Sequence, residues 1–447
     1  MGSTGNQRAS WRRSGRRTAR GLLGGSLVAG LLVVGGGSIL APTVAGAATA
    51  GTCPPATPAT KAELSAAPGV TSKSITVGNV SIISGPVPGL FEGASIGVKA
   101  YFDLINSKGG VNGRKLMVDA KDDAFSGQQN ETETQQAVAS DFALVGSFSL
   151  FDNYGCAALS ANPAIPDVSV TLDPTTNNLP NVFSAQPLAT GSGLGPLQYY
   201  KKHYPKDTKV GSLVSNVASS LQQWAGRVAA LKHVGYSIAY VRDVGPLESD
   251  FTTDVINMRK DGVNVVDLTA LDWQVAAIFM QNAAAQNWHP ALVISGGPVY
   301  ADQFISHAGG PTAVNGIQIG QAQAMYLGQD SAHVPAVKQF LAYVKKVNPS
   351  WTPDLFTLYG WASAVMFVQA LQGAGTHPTR GSLLAQLKKV TTFTAGGLIA
   401  PDNPAQKKPS GCFVLLQIKN GQFQRVLPKS SGFDCNGSYF YAKGSAS

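Results

Sequence analysis

Three short strings in this 447-residue chain hold residue types that can perform chemistry. Gly93-Ala94-Ser95-Ile96-Gly97 matches G-x-S-x-G, in which a serine nucleophile stands on a sharp strand-to-helix turn. A Gly/Pro loop precedes Ser95, and helical spacing places the serine inside a helix. A secreted α/β hydrolase is therefore the weakest functional reading. Asp122-Asp123 offers paired carboxylates for acid–base work, yet neighbours at a strand end point to opposite faces, so capping and solvation are expected. Gly191-Ser192-Gly193-Leu194-Gly195 has the glycines of a phosphate loop without its lysine, and reads as a helix start. The six histidines show no metal spacing and no C-x-x-C occurs. No catalytic residue, metal or cofactor is expected.

Binding fits the residues better. In open α/β sheets, ligands lie beyond the carboxyl ends of strands, where backbone N–H groups and helix N-termini are free. That rule selects Ser84 to Phe91, with Phe91 placed to cover an apolar group, then Ser147-Phe148-Ser149-Leu150-Phe151, then Ser169-Val170-Thr171. From the second half it selects Asn216, Asp272 with Trp273, and Gly297 to Tyr300. The candidate ligand residues are thus Phe91, Ser147, Phe148, Ser149, Phe151, Ser169, Thr171, Asn216, Asp272, Trp273 and Tyr300. Each has a structural alternative: hydroxyls cap helices, and aromatic rings pack cores.

These loops need a frame, and the hydrophobic pattern supplies one. An apolar β-branched run over 75–83 is followed by a helix over 92–107, with Ala94, Val98, Phe102 and Ile105 on one face. Leu116, Val118 and Ala120 alternate as a second strand, 128–140 is a polar helix and 142–145 a third strand. Past Pro166, strands at 210–214, 237–241, 263–268 and 292–294 alternate with helices at 221–234, 250–260 and 275–287. This α/β alternation predicts two doubly wound parallel-sheet lobes. Helices are then expected at 334–347, 355–372 and 381–390, and a hairpin around Asn420-Gly421.

Residues 1–47 read as a signal peptide: six arginines, an uncharged apolar stretch, and Ala45-Gly46-Ala47 at the cleavage site. Those six belong to the 34 basic residues, so the remainder nearly balances the 25 acidic ones. That balance argues against a nucleic-acid partner. The Ala/Pro/Thr-rich stretch 48–72 reads as a linker. An even count of four cysteines suits two disulfides in an oxidising compartment. Cys412 and Cys435 flank the hairpin, which leaves Cys53 with Cys156. Lipidation of Cys53 is the lesser alternative, because Ala50-Gly51-Thr52 departs from a lipobox.

The chain resembles the leucine/isoleucine/valine-binding family of type I periplasmic binding proteins. The strings that carry this are Ile75-Thr76-Val77-Gly78, Ser84-Gly85-Pro86, Gly109-Gly110-Val111-Asn112-Gly113-Arg114-Lys115, Lys121-Asp122-Asp123 and Leu144-Val145-Gly146, in the family's order. The resemblance spans about 73–427 and is stronger in the first lobe. It implies a multi-crossover hinge, with 73–186 plus 322–395 as lobe 1 and 187–321 plus 396–441 as lobe 2. It also implies an extracytoplasmic monomer that closes on an amino acid or similar small polar or amphipathic solute and delivers it to an ABC permease. A ligand sensor of the same fold is the alternative. In the family, the loop matching 147–151 holds the ligand's carboxylate. An acid often pairs the ligand's ammonium in the last second-lobe loop, but Ser295-Gly296-Gly297-Pro298 has none. That departure weakens the expectation of a leucine-like ligand, with Asp272 or Asp302 as the acid that could substitute.

Overall fold

The structure, a computed structural model, describes residues 53–188 and 190–442. The expected signal peptide lies outside them. The first sheet comprises β1 (Ser74–Ser81), β2 (Lys115–Asp122), β3 (Leu144–Val145) and β4 (Asp167–Val168). All pair in parallel in the order β2-β1-β3-β4, with Ser74 opposite Lys115 and Ser81 opposite Asp122. From Val77 to Ser81 every residue of β1 is buried, as expected of a central parallel strand covered on both faces.

The helix Glu92–Ser107 keeps the expected boundaries and packs on Leu355–Gly373. Glycines set the distance between them. A Cβ on Gly97 would stand 2.0 Å from the Thr357 carbonyl, and one on Gly360 2.0 Å from that of Ala94. The G-x-S-x-G string is therefore a close-packing stripe: Gly93 and Gly97, one turn apart, both face the partner helix. Ser95 Oγ donates to the Glu92 carbonyl of its own helix at 3.0 Å. The helix 355–373 is long and apolar enough to cross a membrane, but it is buried on nearly all sides and serves as a core helix.

The second sheet contains β6 (Lys209–Ser215), β7 (Ser237–Val244), β8 (Val265–Asp267), β9 (Leu292–Ser295), β10 (Gln318–Gln321), β11 (Val414–Lys419) and β12 (Gln422–Leu427). Its order is β12-β11-β10-β9-β8-β6-β7. The five strands from β6 to β10 run parallel, and the β11–β12 hairpin adds antiparallel to β10. Asn420 and Gly421 turn this hairpin with φ of 52° and 73°. A small ribbon pairs β5 (Gly191–Gly193) with β13 (Tyr439–Tyr441).

Three segments connect the lobes. The chain leaves the first sheet after β4, returns after β10 to the helices packed on 92–107, and crosses again near residue 400 toward β11. The last two crossovers pair with each other: Ala324 N–H donates to Leu398 O and Ala400 N–H to Ala322 O.

Residues 53–72, expected as a linker, are instead built onto the first lobe. Thr60 and Glu63 form a capping box for the helix Lys61–Ser65, Arg380 N–H donates to Ala66 O, and Cys53 is bonded to Cys156. The disulfide and these long-range hydrogen bonds order a stretch whose composition alone indicates a coil. The second disulfide joins Cys412 to Cys435.

Candidate ligand-binding site

Strand order locates the crevices. In the first sheet the order reverses between β1 and β3, and in the second between β6 and β8. Loops leaving the carboxyl ends of strands at such a switch point flank an open crevice. They begin at Ile82, Gly146, Asn216 and Leu268. The two sets meet. Ser219 Oγ, at the start of helix Ala218–Val234, donates to Leu150 O at 3.4 Å, and Leu355 Cδ1 lies 3.3 Å from where a Cβ on Gly297 would be. These contacts bridge the two lobes.

On the first-lobe wall the candidates gather. Phe91 and Phe148 lie 4.8 Å apart between ring centroids, and both meet Phe356, at 4.4 and 4.9 Å. Phe356 comes from the first turn of helix 355–373, where Asp354 and Thr357 form a capping box. Sequence reasoning missed this ring; the available signal was the D-x-x-T helix start that carries it. Phe151 is half-buried and meets Phe125 edge-on at 5.2 Å and Tyr154 at 6.3 Å. Ala124 and Phe125, missed as well, have positive φ. Their N–H groups are held by Asp122 and Asp123.

Ser149, Ser169 and Thr171 are buried and Ser147 is half-buried, and all four hydroxyls are already engaged. Ser147 Oγ accepts from Val80 N–H at 3.0 Å, and Ser169 Oγ from Ser147 N–H at 3.2 Å. Ser149 Oγ donates to Asp123 Oδ2 at 2.5 Å and accepts from Phe151 N–H at 3.0 Å. Thr171 Oγ1 donates to Asn177 Oδ1 at 3.4 Å. These bonds tie the loops after β3 and β4 to the loop after β2. Together with Asp152 and Asp167, the same residues line a void of about 30 Å³, of the size that holds one or two waters at ~10–15 Å³ each.

The acids here are shifted by burial. Asp123, fully buried, has its carboxyl pushed above the ordinary range, and hydrogen bonds from Ser149 and Asn130 pull it partly back. Asp122 caps as expected, accepting from the backbone N–H groups of Ile83, Ser84 and Ala124 and so fixing the loop after β1; Asp123, expected to be solvated with it, is fully buried instead. Asp152 is raised to about 7 and Asp167 to about 6.

The second-lobe candidates are more dispersed. Asn216 is exposed at the end of β6. Asp272 caps helix Trp273–Ala285, accepting from the N–H groups of Gln274 and Val275, so its carboxylate is committed to that helix. Trp273 packs edge-on against His307 at 5.2 Å. Tyr300 stands apart from the cleft candidates, with its hydroxyl accepting from Leu327 N–H at 2.9 Å and its ring between Tyr326 and Phe423. Burial and that bond make it a core side chain. Among the described residues no cluster of side chains fits a metal ion.

Two sheets whose reversal points face each other across a three-segment hinge define a two-lobed binding protein. The chain belongs to the periplasmic binding protein family, whose model matches residues 74–422. It is similar to Leu/Ile/Val-binding protein homolog 8 of Brucella abortus, at 22% identity over 375 residues that cover 80% of this chain and 91% of the relative. Among solved structures it resembles a branched-chain amino acid ABC transporter protein from Thermus thermophilus with bound valine (TM-score 0.70, 16% identity, covering 82% of this chain and 98% of the other). It also resembles a fatty acid ABC transporter substrate-binding protein from Thermomonospora curvata (TM-score 0.69, 18% identity, covering 83% and 94%). These matches establish the expected type I architecture and the leucine/isoleucine/valine-binding kinship.

Proposed function

We propose that this chain is the extracytoplasmic solute receptor of an ABC importer and closes on a small amphipathic carboxylate, either an amino acid or a simpler organic acid. The observation that carries this reading is the contact between the two lobes at the carboxyl-edge loops, Ser219 Oγ to Leu150 O, in a first-lobe loop that also holds Phe148 of the Phe91, Phe148 and Phe356 cluster. These three rings are buried and back the loops after β1 and β3 with an apolar cluster. The names of the compared proteins, for valine and for a fatty acid, span the same chemistry. Asp272 is committed to its helix, Asp302 is exposed in the first turn of the helix Asp302–His307, and Gly296-Gly297 carries no acid, so neither acid singled out in the sequence is a free buried partner for a ligand ammonium. This favours an organic acid over leucine. A bridging ligand shifts the population toward the closed form, which the permease would recognise.

A thermal-shift screen of the mature chain against branched-chain amino acids, benzoate-like acids and fatty acids tests the proposal. A true ligand at about 100 times its Kd adds ~2.7 kcal/mol of stability. Scattering should then show a more compact bound form. Stabilisation by none of these classes would overturn the reading.

A further inference from the structure

The parallel strands β6, β7 and β8 begin at one edge of the second sheet, opposite the carboxyl edge that meets the first lobe. The turns leading into them lie side by side at that far pole. Ser237 N–H donates to Thr208 O, Lys209 N–H to Asn264 Oδ1 at 2.9 Å, and Lys201 Nζ to Gly235 O at 3.5 Å. These turns are strongly basic. Lys201, Lys202, Lys206 and Lys209 lead into β6, Lys232 precedes β7, and Arg259 and Lys260 precede β8. All but the half-buried Lys201 are exposed. Over 199–209, 232–237 and 257–264 the only acids are Asp207 and Asp261, and among the described residues none of the seven bases belongs to an ion pair.

Basic residues in a last turn complement the helix dipole, which accounts in part for Lys201, Lys202, Lys232, Arg259 and Lys260. It does not account for Lys206 and Lys209, which lie beyond the helix Leu194–His203. Nor does the first lobe share the habit: the helices leading into β2, β3 and β4 have no basic residue in their last turns. The pole also lacks an apolar centre, since none of the exposed large apolar side chains belongs to these turns. A protein interface has a core depleted of charge. A broad, unneutralised basic face without one suits a sheet of anionic headgroups instead.

We propose that this far pole of the second lobe docks on an anionic phospholipid bilayer. The importer reading supplies the reason a bilayer is at hand, while the charge of the pole is independent of it. Docking there holds the receptor at the membrane by its end remote from the cleft, so the carboxyl-edge loops stay free to take up solute and the first lobe stays free to move.

The test is co-sedimentation of the mature chain, whose described residues form one compact unit, with vesicles of phosphatidylglycerol in phosphatidylcholine or of phosphatidylcholine alone. In about 0.1 M salt the chain is expected to bind the anionic vesicles and not the neutral ones. In about 1 M salt, where charges are screened beyond ~3 Å, it should be released. A Lys202→Glu/Lys206→Glu/Lys232→Glu variant alters three exposed side chains without ion pairs. At about fivefold per basic residue it should lose about a hundredfold or more in vesicle affinity, with its melting temperature unchanged. Lys73→Glu/Lys108→Glu/Lys115→Glu makes the same change of net charge at exposed positions of the first lobe and should keep most of the binding. No binding to anionic vesicles, equal binding to neutral ones, or equal losses in the two variants would each overturn the proposal. Binding to soluble polyphosphate but not to vesicles would assign the pole to a free polyanion and overturn it as well. Solute-induced stabilisation is measured on the same chain: vesicle binding without it leaves the docking pole standing and counts against the receptor reading, and the converse result overturns the pole alone.

Discussion

Replacing Ser149 with alanine should destabilise the folded chain. The hydroxyl is buried, donates to Asp123 Oδ2 and accepts from Phe151 N–H. Asp123 is itself fully buried and keeps only Asn130 Nδ2 at 3.0 Å and Phe125 N–H at 3.1 Å as other donors. Ser149→Ala therefore leaves one backbone donor unmet and a buried carboxylate short of a donor, at about 1–3 kcal/mol for an unmet buried group. We expect about 2–3 kcal/mol in total. The lost bond also held down a carboxyl that burial pushes up, so its pKa rises further in the variant. A raised folded pKa means stability that is present at low pH and lost as pH increases, and the deficit should be larger at pH 8 than at pH 5. Urea unfolding at both pH values measures this directly. The sequence alone leads to the opposite pattern, with affinity lost and stability kept. That pattern, an affinity loss above tenfold with stability intact, would refute the hydrogen-bond assignment.

Three further outcomes follow from buried groups. Asp167 is raised from the ordinary 3.8 to about 6 by burial, against the pull of Ser169 and Lys407; its contribution of up to ~3 kcal/mol is whole below about pH 4 and lost as pH rises through 6. Asp167→Asn should flatten the pH dependence of the melting temperature over that window. Arg425 on β12 and Asp330 form an ion pair with both side chains almost fully buried, so Arg425→Leu should cost about 3–5 kcal/mol by denaturant titration, and adding Asp330→Asn should recover part of it. Removing the Cys53–Cys156 disulfide, which spans 103 residues, should destabilise more than removing Cys412–Cys435, which spans 23: about 4.7 against 3.4 kcal/mol on the chain-entropy model. Equal losses in the two double serine variants would count against that account.

The amino-acid sequence by itself determined what depends on local period and turn chemistry. The 3.6-residue spacing of Ala94, Val98 and Phe102 sets a helix that forms over Glu92–Ser107, and Asn420-Gly421 sets a hairpin that forms with both residues at positive φ. Strand-end loops were legible as the place to look because α/β alternation implies parallel strands, and parallel strands share one carboxyl edge. What those loops do was decided by the tertiary structure. Whether the Ser149 hydroxyl faces a ligand or Asp123, and whether Phe91 meets Phe356, depend on partners 26 and 265 positions away, which no local pattern encodes. Tyr300 reads as a cleft aromatic by position in its loop, yet the β11–β12 hairpin brings Phe423 onto its ring and makes it core. Residues 53–72 have the composition of a coil, but a disulfide and hydrogen bonds to distant segments order them.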